Sequence, residues 1–214
     1  MPKKQTVEKV IRVVPLNDAQ RDYVSILNGP ASIILCCGPA GSGKSLLACD
    51  VALRSLFNGR FEKVVVTRPV VESGEKLGFL PGELDEKFAP YIAPIIDACN
   101  FCGHDWNKIK HSVKPEPLAF MRGKTFRRSF IIADEMQNAT HEQMIMLLTR
   151  LGEGSKLVIN GDLDQSDIPS HKQGALWKAI TLLSDIDGVE AFEFPENSSV
   201  RNPLINSILK HWNS

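Results

Sequence analysis

The chain has 214 residues, enough for one sizeable α/β domain and little beyond it. Its 43% hydrophobic and 23% charged residues are ordinary for a soluble globular protein, and no apolar run approaches the roughly 20 residues that span a bilayer. Lysine plus arginine and aspartate plus glutamate both number 25, which excludes coating of nucleic acid through the overall field but leaves room for a local basic groove.

The opening Met1-Pro2-Lys3-Lys4-Gln5 has no apolar core behind its charges and does not read as a secretory signal, so a cytoplasmic location is expected. Residues 1–15 read as an arm or an added edge strand, and 16–214 as the main domain. Asn17 or Asp18 then caps a helix that runs through Gln20, Tyr23 and Leu27 to a stop at Asn28-Gly29. Beyond it, short apolar runs alternate with helical patterns. Residues 31–37, 63–67, 129–133, 156–160 and 189–194 read as strands, and three of them are nearly continuous apolar runs, as strands covered on both faces require. Helices are expected over 44–58, 140–151 and 173–184, with a last one after Pro203. Such alternation gives a mostly parallel sheet with helices on both faces, and ligands of such folds sit at the carboxyl ends of the strands. Five cysteines, two of them in the run at Cys36-Cys37, fit reduced thiols better than a disulfide framework.

The chemically loaded residues fall at those carboxyl ends. Gly38-Pro39-Ala40-Gly41-Ser42-Gly43-Lys44-Ser45 matches G-x-x-x-x-G-K-[ST] in full, after a strand and before a helix. Glycines let the backbone curl so that its N–H groups point at phosphate oxygens, and the following helix adds its positive end. Lys44 is placed to reach the β- and γ-phosphates of ATP, and Ser45 to ligate Mg²⁺. The strand over 129–133 delivers Asp134 and Glu135 to the same edge. Asp134 then holds Mg²⁺, and Glu135 orients or deprotonates a water attacking the γ-phosphate. A glutamate beside the metal-binding aspartate favours hydrolysis over transfer to a small acceptor. After the strand over 156–160 comes Gly161-Asp162-Leu163-Asp164-Gln165, in which Gln165 is placed to sense the γ-phosphate; the bland alternative is a polar loop.

Together these motifs resemble the PhoH-like family, whose ATPase core is a single RecA-like P-loop NTPase domain related to superfamily 1 helicases. The resemblance runs from about Leu16 to Ile205. It is carried by L-N-D-A-Q at 16–20, the P-loop, T-R-P at 67–69, G-E-K-L-G-F-L-P-G at 74–82, P-L-A-F-M-R-G-K-T-F at 117–126, D-E-M-Q-N at 134–138 and G-D-L-D-Q at 161–165. It implies that Gln20 reads the adenine edge, that Thr67 and Arg68 lie near a nucleic-acid strand, and that Arg201, in S-V-R-N-P at 199–203, contacts nucleotide. Family members usually carry His where Asn202 stands and Ala where Met136 stands.

One lobe lacks the arginine that a second lobe supplies in two-domain helicases, so an arginine must come from the same chain or a neighbour. A homo-oligomeric ring, a hexamer by resemblance, is the simplest shared arrangement, with Arg201 as the leading candidate. Arg122, Lys124, Arg127 and Arg128 form a basic cluster that reads either as a strip for single-stranded RNA or DNA or as a solvated face, with Phe120 and Phe126 as stacking candidates. Cys99 and Cys102, with His104 and His111, raise the question of a zinc shell, although the apolar helical stretch around them buries thiols without a metal. The expected function is an ATP-hydrolysing remodeller of nucleic acid. The alternatives are a nucleoside-type small-molecule kinase and a slow nucleotide-dependent binding switch.

Overall fold

The runs that read as continuous apolar strands are buried on both faces. A computed structural model describes residues 13–69, 96–163, 165, 174–202, 204, 205, 208 and 211. Its strands are β1 (Ile33–Cys37), β2 (Lys63–Thr67), β3 (Val113–Pro115), β4 (Ser129–Ala133), β5 (Lys156–Gly161) and β6 (Val189–Glu193). They form one sheet in the order β3-β2-β4-β5-β1-β6, and every pairing is parallel. Its helices include α1 (Asp18–Asn28), α2 (Lys44–Phe57), the single turn α3 (Trp106–Ile109), α4 (His141–Leu148) and α5 (Ala175–Leu183), and positions 96–101 are helical as well. This is the expected RecA-like P-loop architecture. Positions 1–12 of the arm expected over 1–15 and the stretch at 74–82 lie outside the described residues, and 13–15 are not in a strand.

Side chains alternate across the sheet with a period of two, so each strand feeds two cores. Ile34, Cys36, Phe130, Ile132 and Val158 pack with Tyr23, Leu27, Leu47 and Val51 of α1 and α2. Leu35, Cys37, Ile131, Ala133, Leu157 and Ile159 pack on the other face with Met144, Leu147, Leu176 and Ala179 of α4 and α5. Asn17 settles the open cap of α1: its side chain accepts from the Gln20 N–H, and Asn17 Nδ2 donates to the Ser198 carbonyl at 3.2 Å.

Two elements differ from expectation. The strand β3 was not foreseen, because three residues ending in proline carry no readable alternation; it closes the sheet edge beside β2, where a proline is tolerated. The helix expected over 140–151 ends at Leu148, after a capping box between Thr140 and Gln143. Leu151 instead bridges to Phe126 in parallel, and the Gly152 N–H donates to the Phe126 carbonyl at 2.8 Å, which draws the chain out of the helix. After Pro203, positions 204, 205, 208 and 211 are helical, as expected.

Register decides what meets at the functional edge. Cys37 pairs with Gly161, Ala133 with Ile159, and Thr67 with Ala133. The residues that follow each strand, Gly38, Asp162, Asp134 and Arg68, therefore emerge along one carboxyl edge.

Candidate nucleotide-binding site

A cavity of about 280 Å³ opens at that edge, lined by the P-loop, by Asp134 and Glu135 after β4, by Gly161, Asp162 and Gln165 after β5, and by Arg201. Side chains from four separated stretches of sequence thus converge on one volume. The loop's shape depends on backbone that L-residues rarely adopt: Gly38, Gly41 and Gly43 have φ of 149°, 81° and 91°. At Gly41 the requirement is also steric, because a Cβ would lie 2.4 Å from Arg201 Cγ. Gly43 opens α2 without a side-chain cap, whereas α1 and α4 have one. The uncapped N–H groups and positive end of α2 therefore face the cavity, an arrangement that suits an anion.

Lys44 is buried and its Nζ donates to the Gly38 and Pro39 carbonyls at 2.6 and 2.9 Å. The Ser45 hydroxyl donates to Asp134 Oδ1 at 2.7 Å. Burial raises the pKa of Asp134 above its ordinary value, the Ser45 hydrogen bond works against that rise, and the neighbouring Glu135 charge adds to it. A hydroxyl and a carboxylate oxygen brought together beside an anion cradle are hard oxygen donors of the kind Mg²⁺ takes, so Ser45 and Asp134 fit that ion. Glu135 is exposed to the cavity and adopts a left-handed backbone, φ 55° and ψ 33°. For a non-glycine residue this costs on the order of 1–3 kcal/mol and is found where the surroundings impose it.

Gln20 is 3% exposed, and its side chain is engaged at both ends: the Leu16 N–H donates to Oε1 at 2.7 Å, and Nε2 donates to the Ser42 carbonyl at 2.9 Å. It braces the P-loop from α1 in this structure. Arg201 lies against the P-loop of its own chain, next to a Val200 N–H that donates to the Gly41 carbonyl at 3.0 Å. Gln165 lines the cavity as expected. Thr67 is buried beside β4, its carbonyl accepting from the Asp134 N–H at 2.9 Å, and Arg68 is half-buried.

Two members of the basic cluster stand away from this edge. Arg127 and Arg128 precede β4 and so stand at the amino edge of the sheet, opposite the cavity. Arg122, Lys124, Arg127 and Arg128 are exposed, but Lys124 pairs with Glu116 and Arg128 with Glu62 at 2.6 Å. Phe120 is exposed, whereas Phe126 is buried under Lys63. Cys99 and Cys102 are buried in the core with the Cys49 thiol against them, His104 stacks on Phe57 with ring centroids 4.6 Å apart, and His111 is exposed. Among the described residues no group of three or more His, Cys, Asp or Glu is arranged to hold a metal ion. No described helix is long and apolar enough to cross a membrane.

Two residues at the site went unnoticed in the sequence. Asp162 Oδ2 accepts from the Ala40 N–H at 2.9 Å, and Gln137 links Glu135 to the Asp162 main chain. Each lies within a stretch that already drew attention, but nothing local names its partner.

The family model described as PhoH-like protein matches residues 12–213. A PhoH-like protein of Synechocystis is 40% identical over 198 residues, covering 90% of this chain and 60% of that protein. One of Bacillus subtilis is 41% identical over 217 residues, 98% of this chain and 66% of that protein. Protein PhoH of Escherichia coli K12 is 34% identical over 203 residues, 92% and 57% respectively. The chain thus spans between 57% and 66% of the length of these relatives. Among solved structures, the Pif1 helicase from Candida albicans aligns with a TM-score of 0.44 at 17% identity, over 92% of this chain and 44% of that one.

Proposed function

Because the chain belongs to the PhoH-like family and is by that membership a P-loop NTPase, we propose that it binds ATP with Mg²⁺, hydrolyses it, and uses the hydrolysis to act on single-stranded RNA or DNA. The observation that carries the reading is the alignment of Ser45, Asp134 and Glu135 beyond an uncapped, glycine-shaped loop. Loop amides and the α2 terminus would bind the phosphates, with Lys44 exchanging its carbonyl partners for phosphate oxygens. Ser45 and Asp134 would hold Mg²⁺, which when bound offsets charge on the phosphate oxygens. Glu135, standing one residue beyond the metal carboxylate, would orient water and take its proton. Gln165 lines the same cavity and suits recognition of the γ-phosphate.

Arg201 reaches its own chain's loop, so its role in this reading is played in cis. A homo-oligomeric ring, hexameric by resemblance, enters as an assembly whose neighbours complete the site further. Specific activity measured against protein concentration decides this: a rise with concentration supports shared sites, and a flat profile dismisses them. Action on nucleic acid rests on the family, with Thr67 and Arg68 beside the Asp134 strand as its candidate link.

Phosphate release from ATP, measured without any acceptor and then with single-stranded RNA or DNA, tests the proposal. Release without an acceptor, stimulated by nucleic acid, is expected. Transfer of phosphate only to an added nucleoside would favour the kinase reading, and ATP binding without stimulation would favour the switch.

A further inference from the structure

Gln137 sits where the catalytic carboxylate, the end of β5 and the P-loop meet. It is 2% exposed, and its amide is used at both ends. Nε2 donates to Glu135 Oε2 at 2.7 Å, while Oε1 accepts from the Asp162 N–H at 3.1 Å. Asp162, 7% exposed, carries the connection on, its Oδ2 accepting from the Ala40 N–H at 2.9 Å. One line of hydrogen bonds thus runs from the P-loop through Asp162 and Gln137 to Glu135. Space for it is provided by Gly161, where a Cβ would lie 2.8 Å from Gln137 Oε1 and 3.0 Å from Gln137 N.

We propose that Gln137 is the positioning residue for Glu135, and that through Asp162 it ties the set of that carboxylate to the position of the P-loop. Glu135 needs such a tether. Its backbone is left-handed and its side chain is exposed, so neither the helical propensity of its segment nor packing fixes the carboxylate. A glutamine suits the task because one end donates to a carboxylate while the other accepts from an amide. Buried on both sides, the amide cannot rotate without leaving a polar atom unpaired, which costs about 1–3 kcal/mol. The connection also gives the P-loop a route to the water-activating group: a shift of Ala40 moves Asp162, and with it the carbonyl end of Gln137. This inference rests on the hydrolytic reading of the site.

The test is Gln137→Glu, which keeps an acceptor for the Asp162 N–H but replaces the donor to Glu135 with a second carboxylate. Gln137→Met, close in size and uncharged, removes both bonds and carries the test if Gln137→Glu does not fold. Two measurements are made, steady-state ATP hydrolysis and amide exchange at Asp162 in the nucleotide-free protein. In both variants kcat is expected to fall by about 10- to 100-fold, the scale of a misplaced catalytic group, while KM stays within about threefold. Exchange at Asp162 is expected to stay slow in Gln137→Glu and to quicken in Gln137→Met. A Gln137→Glu enzyme with undiminished kcat overturns the proposal, and so does a fall in kcat matched by an equal loss of ATP affinity. A wild-type protein that hydrolyses no ATP removes the underlying reading, and this inference falls with it. A hydrolysing wild type with an indifferent Gln137 removes the inference alone.

Discussion

Two helix ends on opposite edges of the sheet are treated in opposite ways. At the amino edge, the last carbonyls of α1 are covered by the chain's own cations: Lys156 Nζ donates to the Gly29 carbonyl at 2.9 Å, and Arg60 reaches the Asn28 and Gly29 carbonyls at 3.3 Å. The negative end of that helix is satisfied internally. At the carboxyl edge, the first turn of α2 has no side-chain cap, and its loop curves round a cavity of about 280 Å³. That loop is held in shape by left-handed backbone at Gly38, Gly41 and Gly43, with left-handed Glu135 across the cavity, although such backbone also occurs at the amino edge, at Arg128 among others. A helix end finished by its own chain reads as architecture; one shaped by strained backbone and faced with cations and carboxylates reads as a site.

The largest effect that would break this contrast belongs to Lys44. Replacing it by alanine removes the only cation that emerges from the loop itself, and ATP turnover is expected to fall by at least about 10²-fold in a phosphate-release assay. Arg201→Ala comes next. The side chain packs on Gly41 at the cavity rim, so a loss of about tenfold or more is expected, short of the ~10³–10⁵ found where an arginine sits on the transferred phosphate.

The amino edge should respond through stability instead. Burial, with Arg60 nearby, lowers the pKa of Lys156 from 10.5 to about 8. Between those values the unfolded chain binds a proton that the folded chain does not, so this lysine makes stability rise as pH increases from about 8 to 10.5. Lys156→Met should flatten that rise by up to about 3 kcal/mol, seen in denaturant melts across the window, and leave turnover unchanged. Smallest of all is Arg128→Ala. Its pair with Glu62 is exposed on both sides, so stability should change by less than about 1 kcal/mol and basal hydrolysis by less than about twofold.

Much of this was legible in the sequence because it is local. The P-loop is contiguous and its flanking strand and helix are written beside it, and the core strands announce themselves as apolar runs that the structure buries on both faces. What escaped was either too short to show a period, as with β3, or set by partners distant in sequence. Asp162 meets Ala40 across 122 positions and Gln137 meets Asp162 across 25, and such a bond leaves no trace in the spacing of either residue. Arg127 and Arg128 stand away from the cavity for a plain reason: residues just before β4 are one full strand away from those just after it. The cysteine pair shows the same limit. The thiol set against it is that of Cys49 on α2, about a quarter of the chain away, which no local spacing announces.

The most direct test of the account is Glu135→Gln, assayed for phosphate release and for ATP bound in the presence of Mg²⁺. The loop, Ser45 and Asp134 remain, so ATP is expected to bind as in the wild type while release slows by about 10²–10⁴-fold, the range of a lost general base. Release at the wild-type rate would contradict the assignment of the water-activating step, and with it the chemistry read into this edge of the sheet.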